Sequence, residues 1–289
     1  MAIFITGATG NVGRAAVAWL AEQQQPVVAG VRNPKDLPPG YPAGAQVRHF
    51  DFHAPDTFAG ALAGCNRLLL VRPPALANVQ KDFLPFLQYA QAVGVEHIVL
   101  LSVQGADKNS FLPHAKLEKQ LQQMAFSYTF LRPGFFMQNI TEVHLPTIQR
   151  YNCIMVPAGR GSVPYIDARD IGAVAGRILQ EPEGHRNAAY TLTGEEKLTF
   201  YEVAEVMRNV LQRPIRYRPV TFPTYYCQLR RSGQPKGFAL TSTIIYATVW
   251  LGLAGELTTT TRDILGRAPY RFAEFIAHEK NKGTFAQED

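Results

Sequence analysis

The stretch Thr6-Gly7-Ala8-Thr9-Gly10-Asn11-Val12-Gly13 constrains this chain more than any other, because it stands between an apolar run, Ala2-Ile3-Phe4-Ile5, and a helical stretch from Arg14 to Gln24. A strand delivers the backbone to a tight turn at Gly7. Gly10 lets main chain approach a pyrophosphate with no Cβ in the way, and Gly13 lets the helix pack close to the strand. The start of the helix then offers free N–H groups and a partial positive charge to phosphates. Three glycines alone are a weak signal, but strand before and helix after are what the mechanism requires. The chain opens as a dinucleotide-binding unit, with Gly7, Thr9, Gly10, Asn11, Val12 and Gly13 as its phosphate-side residues.

The end of the second strand sets which dinucleotide is bound, since a carboxylate there grips ribose hydroxyls and a cation accepts a 2′-phosphate. The strand reads Pro26-Val27-Val28-Ala29-Gly30-Val31-Arg32 and holds no Asp or Glu. Arg32 presents a planar fork to a phosphate dianion and a face to an adenine, with Lys35 as a looser second charge. A solvated strand-end Arg is the plain alternative. NADP(H) is favoured over NAD(H).

Onward, short β-rich runs alternate with helical stretches, the pattern of an α/β, Rossmann-type, doubly wound parallel sheet. Strands are expected at Gln46-Phe50, Arg67-Val71, His97-Ser102 and Ser127-Leu131, with helices at Pro55-Ala63, Val79-Val93 and His114-Met124. Ligands bind at the carboxyl ends of such strands. Asp51 and Phe52 end the third strand, where a carboxylate and a ring could hold an adenine, and turn capping is an equal reading for Asp51. Arg72 ends the fourth strand, Ser102 the fifth, and Pro133 follows the sixth.

Residues 1–150 are expected to form this NADP(H)-binding core and residues 151–289 a smaller, mixed, substrate-covering region, some of whose segments return to the core. The 289 residues, 46% hydrophobic, suffice for a full core. Net charge is +6 with no basic block interleaved with aromatics, so no nucleic-acid partner is expected. Cys65, Cys153 and Cys227 are few and far apart, which fits a reducing cytoplasm, and no metal spacing occurs among them or the His residues. The N-terminus runs straight into a strand without a cleavable apolar segment, so a cytoplasmic location is expected.

On these residues the chain resembles the NmrA-like, atypical branch of the short-chain dehydrogenase/reductase superfamily. The likeness rests on the Thr6 to Gly13 turn, on Val31-Arg32-Asn33-Pro34, on Ile98 to Ser102 and on Tyr128-Thr129-Phe130-Leu131-Arg132-Pro133-Gly134-Phe135-Phe136-Met137-Gln138-Asn139. It continues through Pro164 to Ile171 and Tyr190 to Gly194, and so spans nearly the whole chain. It is nearest the group of triphenylmethane reductases, NADPH quinone reductases and ergot-alkaloid reductases. The resemblance implies a Rossmann core, NADP(H) and a C-terminal region over the substrate cleft.

Ordinary members of that superfamily use a Tyr-x-x-x-Lys pair with a Ser. Here the corresponding helix reads His114-Ala115-Lys116-Leu117-Glu118. Ser102, His114 and Glu118 are therefore the catalytic candidates, with His114 titrating near neutrality to hand on a proton and Glu118 orienting its ring one helical turn away. A capped, solvated helix start is the plain alternative. Hydride transfer to a polarised acceptor needs little acid catalysis, so the missing Tyr does not exclude a reductase.

After the sixth strand, Phe135, Phe136, Met137 and Asn139 suit a flat, conjugated, apolar substrate, although the apolar three could equally be core. Asp167 and Asp170 read as caps of a helix at Ile171 to Leu179. A strand near Ala189-Leu192, a helix at Phe200-Leu211 and a strand near Ile215-Tyr217 follow. Tyr226 and Trp250 are further substrate candidates, Trp250 lying in an uncharged run from Phe238 to Leu253. A buried lid helix accounts for that run better than a membrane span, because Thr and Ser interrupt it, so no membrane partner is expected.

Two functions remain: an NADPH-dependent reductase of an apolar conjugated small molecule such as a quinone, enone or imine, or a non-catalytic NADP(H)-binding redox sensor acting on a protein partner. The first is favoured on the aromatic cleft and apolar lid. A homodimer is left open.

Overall fold

The structure, a computed structural model, describes residues 1–286, so the last three residues of the expected C-terminal region lie outside the described residues. In chain order the first six strands are β1 (Ala2–Ile5), β2 (Val27–Val31), β3 (Gln46–His49), β4 (Cys65–Val71), β5 (His97–Leu101) and β6 (Ser127–Pro133). Short strands β7 (Phe135–Phe136), β8 (Cys153–Ile154) and β9 (Ser162–Ile166) follow, then β10 (Ala188–Leu192), β11 (Lys197–Thr199) and β12 (Arg216–Tyr217). The chain divides into two compact units. The first comprises Met1–Pro133, Ala168–Leu192 and Thr260–Arg267, and the second Gly134–Asp167, Thr193–Thr259 and Ala268–Asp289.

The first unit holds a seven-stranded sheet in the order β3-β2-β1-β4-β5-β6-β10, and every neighbouring pair runs parallel. This is the expected doubly wound Rossmann-type fold. Its strands read as near-continuous apolar runs because helices cover both faces. Strand order reverses between β1 and β4, which opens the crevice where such sheets bind ligands. On one face, α1 (Asn11–Glu22) packs tightly on α6 (Ala168–Gln180). Small residues allow it: a Cβ on Gly172 would stand 2.6 Å from that of Ala15, and one on Gly176 would stand 2.3 Å from the Trp19 ring. The other face is covered by α2 (Phe58–Leu62), α3 (Leu84–Ala92) and α4 (Pro113–Gln122) around a cluster of phenylalanines, among them Phe4, Phe50, Phe58 and Phe86.

Two expected helices are divided. A 3-10 turn, Pro55–Thr57, precedes α2, and a π-type turn, Val79–Phe83, precedes α3. Pro85 lies in the first turn of α3, where its missing N–H costs nothing but cannot continue an earlier helix. The helix expected from Ile171 begins three residues earlier, at Ala168.

The second unit contains α5 (Leu145–Tyr151), α7 (Phe200–Leu211), α8 (Phe222–Arg231), α9 (Lys236–Trp250) and α11 (Phe272–Asn281), whereas α10 (Thr260–Leu265) belongs to the first. β9 pairs with β7 in parallel and with β11 antiparallel. α7 starts on a capping box in which Thr199 and Glu202 satisfy each other's backbone N–H groups. The core of this unit gathers Tyr165, Phe200, Tyr217, Tyr246 and Phe272. No described helix is long and apolar enough to cross a membrane.

Two enclosed histidines couple the fold to pH. His97 bonds the Ser127 and Thr129 hydroxyls (2.7 and 3.1 Å), and His144 bonds the Tyr246 hydroxyl (2.6 Å). Burial, joined at His97 by the charges of Arg186 and Arg67, pushes both down from 6.5 to about 4. An unfolded chain binds these protons first, so stability is complete above pH 6.5 and falls as pH drops towards about 4. Each site contributes roughly 3 kcal/mol at most. Urea midpoints measured across that window should fall steadily, and the fall should shrink in His97→Gln; a flat profile contradicts the assignment.

Candidate cofactor and active site

The turn after β1 is built for an anion. Thr6 at the end of β1 ties that strand to β4, its hydroxyl donating to the Val71 carbonyl (3.0 Å) and accepting the Val71 N–H (2.8 Å). Gly7 then turns with φ +59°, pressed against Val71 so closely that a Cβ would lie 2.9 Å from that side chain. A Cβ on Gly13 would lie 2.2 Å from the Gly7 carbonyl oxygen, so only glycine lets the first turn of α1 come this near the strand end. Gly10 is the N-cap of α1, with no side-chain cap and no acidic residue in the first turn. The start of this twelve-residue helix carries the partial positive charge that favours an anion. Thr9 and Gly10 are exposed, Asn11 is half-buried and Val12 is buried. A dinucleotide diphosphate fits this cradle.

Arg32 directly follows β2 and is exposed at the carboxyl edge of the sheet. The chain after it is folded by Asn33, whose side chain bonds the Lys35 N–H (3.2 Å) and the Asp36 carboxylate (2.7 Å). Tyr41, from the same loop, reaches back to donate to the Ala8 carbonyl in the glycine turn (3.2 Å), and burial pushes its phenol up to about 12. Asp51 is half-buried after β3 and accepts the His53 N–H (2.8 Å), an Asx turn. Phe52 corrects the expectation of a ring on an adenine: it is buried among Phe50, Phe83 and Phe86. Its period-two neighbour Phe50 and the helices over that face draw the ring inward.

The catalytic expectation is rearranged. Ser102, one residue past β5, donates to Glu118 Oε1 (2.5 Å), and Arg132 of β6 grips the same carboxylate with two donors, Nε at 3.0 Å and Nη2 at 2.6 Å. Asp107 stands 3.7 Å from the guanidinium on its open side. Glu118 therefore does not orient His114. A bidentate guanidinium fork in a buried setting outcompetes an imidazole for the carboxylate. These contacts lock α4 to β5 and β6, and the Glu118 charge and hydrogen bond raise the Arg132 guanidinium above its usual range.

His114 is the second residue of α4 and pairs instead with Arg72, whose Nε lies 3.4 Å from His114 Nε2. A guanidinium only donates, so Nε2 accepts and the imidazole proton sits on Nδ1. Arg72 also donates through Nη1 to the carbonyls of Pro73, Pro74 and Leu76, folding the loop after β4 around itself. Burial and the Arg72 charge lower His114 from 6.5 to about 4. Titration near neutrality is thus corrected: His114 is a neutral donor, and the helix start adds to the penalty on its cation.

The apolar candidates lie in the second unit. Met137 is buried in its core, and Phe135 packs edge-on against Tyr165, Phe200 and Tyr246. Phe136, Asn139 and Tyr226 are half-buried, the Asn139 carbonyl accepting the Val143 and His144 N–H groups. Asp167 accepts from the Gln138 amide (3.0 Å), and buried Asp170 pairs with Arg267 (2.9 Å). Trp250 departs from the buried-lid expectation, since it is 57% exposed and rests against Gly159 and Phe222. Pro133 is buried at the end of β6 and accepts the Gln104 N–H (3.1 Å). No cluster of His, Cys, Asp or Glu among the described residues could hold a metal.

The model of the NmrA-like family matches residues 1–258. The chain belongs to that family. Among its relatives, the NAD(P)H azoreductase of Xenophilus azovorans is 33% identical over 94% of this chain and 96% of its own length. The agroclavine dehydrogenase of Claviceps fusiformis is 30% identical over 97% and 98%. The NADPH-dependent quinone oxidoreductase QOR2 of Escherichia coli, solved with NADPH, superposes with a TM-score of 0.84 at 26% identity, covering 96% of this chain and all of that one.

Within this NmrA-like chain, sequence reasoning missed the roles of Arg132, Tyr41 and Asp107. Arg132 left a signal, a cation directly after the apolar pair Phe130-Leu131 in a strand, which a buried position tolerates only with a carboxylate partner. Removing that partner should be costly. Glu118→Ala is expected to lose about 3–5 kcal/mol by denaturant unfolding, and a loss below about 1 kcal/mol would show that the pair behaves as a solvated surface bridge.

Proposed function

We propose that this protein is an NAD(P)H-dependent oxidoreductase, and more narrowly an NADPH-dependent reductase of an apolar, conjugated small molecule such as a quinone, enone or imine. The observation that carries the reading is the turn between β1 and α1 that only glycine can form, with Arg32 at the end of β2 to meet a 2′-phosphate. The reductase and dehydrogenase names of relatives that align over nearly the whole chain support it. The cofactor is NADP(H), as in the QOR2 complex.

When bound, the cofactor supplies a hydride. The protein's part is to bind and orient it and to stabilise charge on the acceptor. The glycine turn and the start of α1 hold the diphosphate, and Arg32 holds the adenosine end. His114, neutral and with its proton fixed on Nδ1 by Arg72, donates a hydrogen bond to an acceptor oxygen or nitrogen as negative charge develops there. It keeps its proton, and the product takes one from water. Glu118 and Ser102 hold α4, and hence His114, in place without touching the reacting atoms.

Steady oxidation of NADPH by a simple naphthoquinone or an azo dye, followed by the absorbance of the reduced nicotinamide, tests this reading. His114→Ala should lower kcat on the order of 100-fold, the cost of one transition-state donor, while cofactor affinity is kept. The wild-type rate should pass through pH 6.5 without an inflection and show its acid limb near 4. Tight NADP(H) binding with no turnover on any acceptor would instead make the chain a cofactor-responsive sensor.

A further inference from the structure

Eight of the thirteen exposed large hydrophobic side chains among the described residues fall within residues 238–257. α9 turns Ala239, Tyr246 and Val249 inward to the core of the second unit. Its opposite face carries Gly237, Leu240, Thr241, Ile244, Thr248 and Leu251 at helical spacing. Water-facing helix surfaces normally carry charge, yet none occurs between Lys236 and Glu256. Ile244 is 56% exposed and Leu253, just beyond the helix, 70%. A stripe this apolar marks a contact surface rather than a solvent boundary.

Charge says what covers it. Arg230 and Arg231 end α8, with four residues between them and Lys236, which opens α9, and none of the three forms an ion pair among the described residues. The fifty residues from Val206 to Gly255 hold seven Lys or Arg and no Asp or Glu. The surface thus combines an apolar helix face, a half-exposed Trp and a cluster of unneutralised cations at one end.

We propose that this face docks on the surface of an anionic lipid bilayer. Leu240, Ile244 and Leu251 enter the boundary between headgroups and acyl chains, Trp250 sits at that boundary, and Arg230, Arg231 and Lys236 meet the lipid phosphates. The helix lies in the interface and does not span it, since its fifteen residues fall short of the roughly twenty needed. A second copy fits less well. Antiparallel pairing of two such helices would set three cations against a single acid, Glu256, already held by Lys197 at 3.2 Å.

The test mixes the full chain with phosphatidylcholine vesicles made with and without phosphatidylglycerol, reading co-sedimentation and Trp fluorescence. Binding is expected only to the anionic vesicles, with a blue shift that Trp250→Phe removes and a loss of binding as salt rises. Ile244→Glu and Leu251→Glu alter exposed side chains and should keep the wild-type melting curve while weakening binding at least tenfold. Joint reversal of Arg230, Arg231 and Lys236 to Glu should abolish it. Wild type left in the supernatant with anionic vesicles at low salt would overturn the proposal. So would a lipid-free dimer, seen by sedimentation velocity, that Ile244→Glu dissociates, because the face would then belong to a second copy.

Discussion

The close approach of α1 to the end of β1 is the constraint on which the first unit depends. It brings the Gly13 backbone against Gly7, presses Gly7 on Val71 and is matched on the far side of α1 by the contact with α6. A chain that packs its first helix this tightly sets the positive end of that helix beside the strand ends. Packing and ligand chemistry therefore have one cause. The glycines are where the fold and the anion site make the same demand.

Around that fixed point the edge of β4, β5 and β6 is organised by two arginines with different tasks. Arg132 satisfies Glu118 and so removes both that carboxylate and the Ser102 hydroxyl from solution chemistry. Arg72 is spent on its own loop and on one nitrogen of His114. The imidazole of His114 keeps its proton on Nδ1. Under the proposed function, this suits a reaction whose driving step is hydride delivery better than one that requires a strong acid.

Much of the fold was legible because its signals are local. Strands buried on both faces read as unbroken apolar runs, and α7 spans the expected Phe200 to Leu211, where the structure shows a capping box at Thr199. The glycine turn was legible for the same reason. Less visible were features decided between elements. Nothing local distinguishes a Glu that orients a His one turn away from a Glu claimed by Arg132 on a neighbouring strand, and the side to which the Phe52 ring turns depends on helices thirty residues later. The exposure of α9 was hidden for a further reason: an uncharged helix has the same composition whether its outer face meets protein, lipid or water.

Calorimetric titration of the wild-type protein with NADPH, and separately with NADH, tests the central claim most directly. The account predicts that NADPH binds roughly tenfold tighter or better, as expected for a 2′-phosphate held by Arg32. Equal affinities would show that Arg32 does not read that phosphate. No binding of either would contradict the assignment of the Gly7 to Gly13 turn itself.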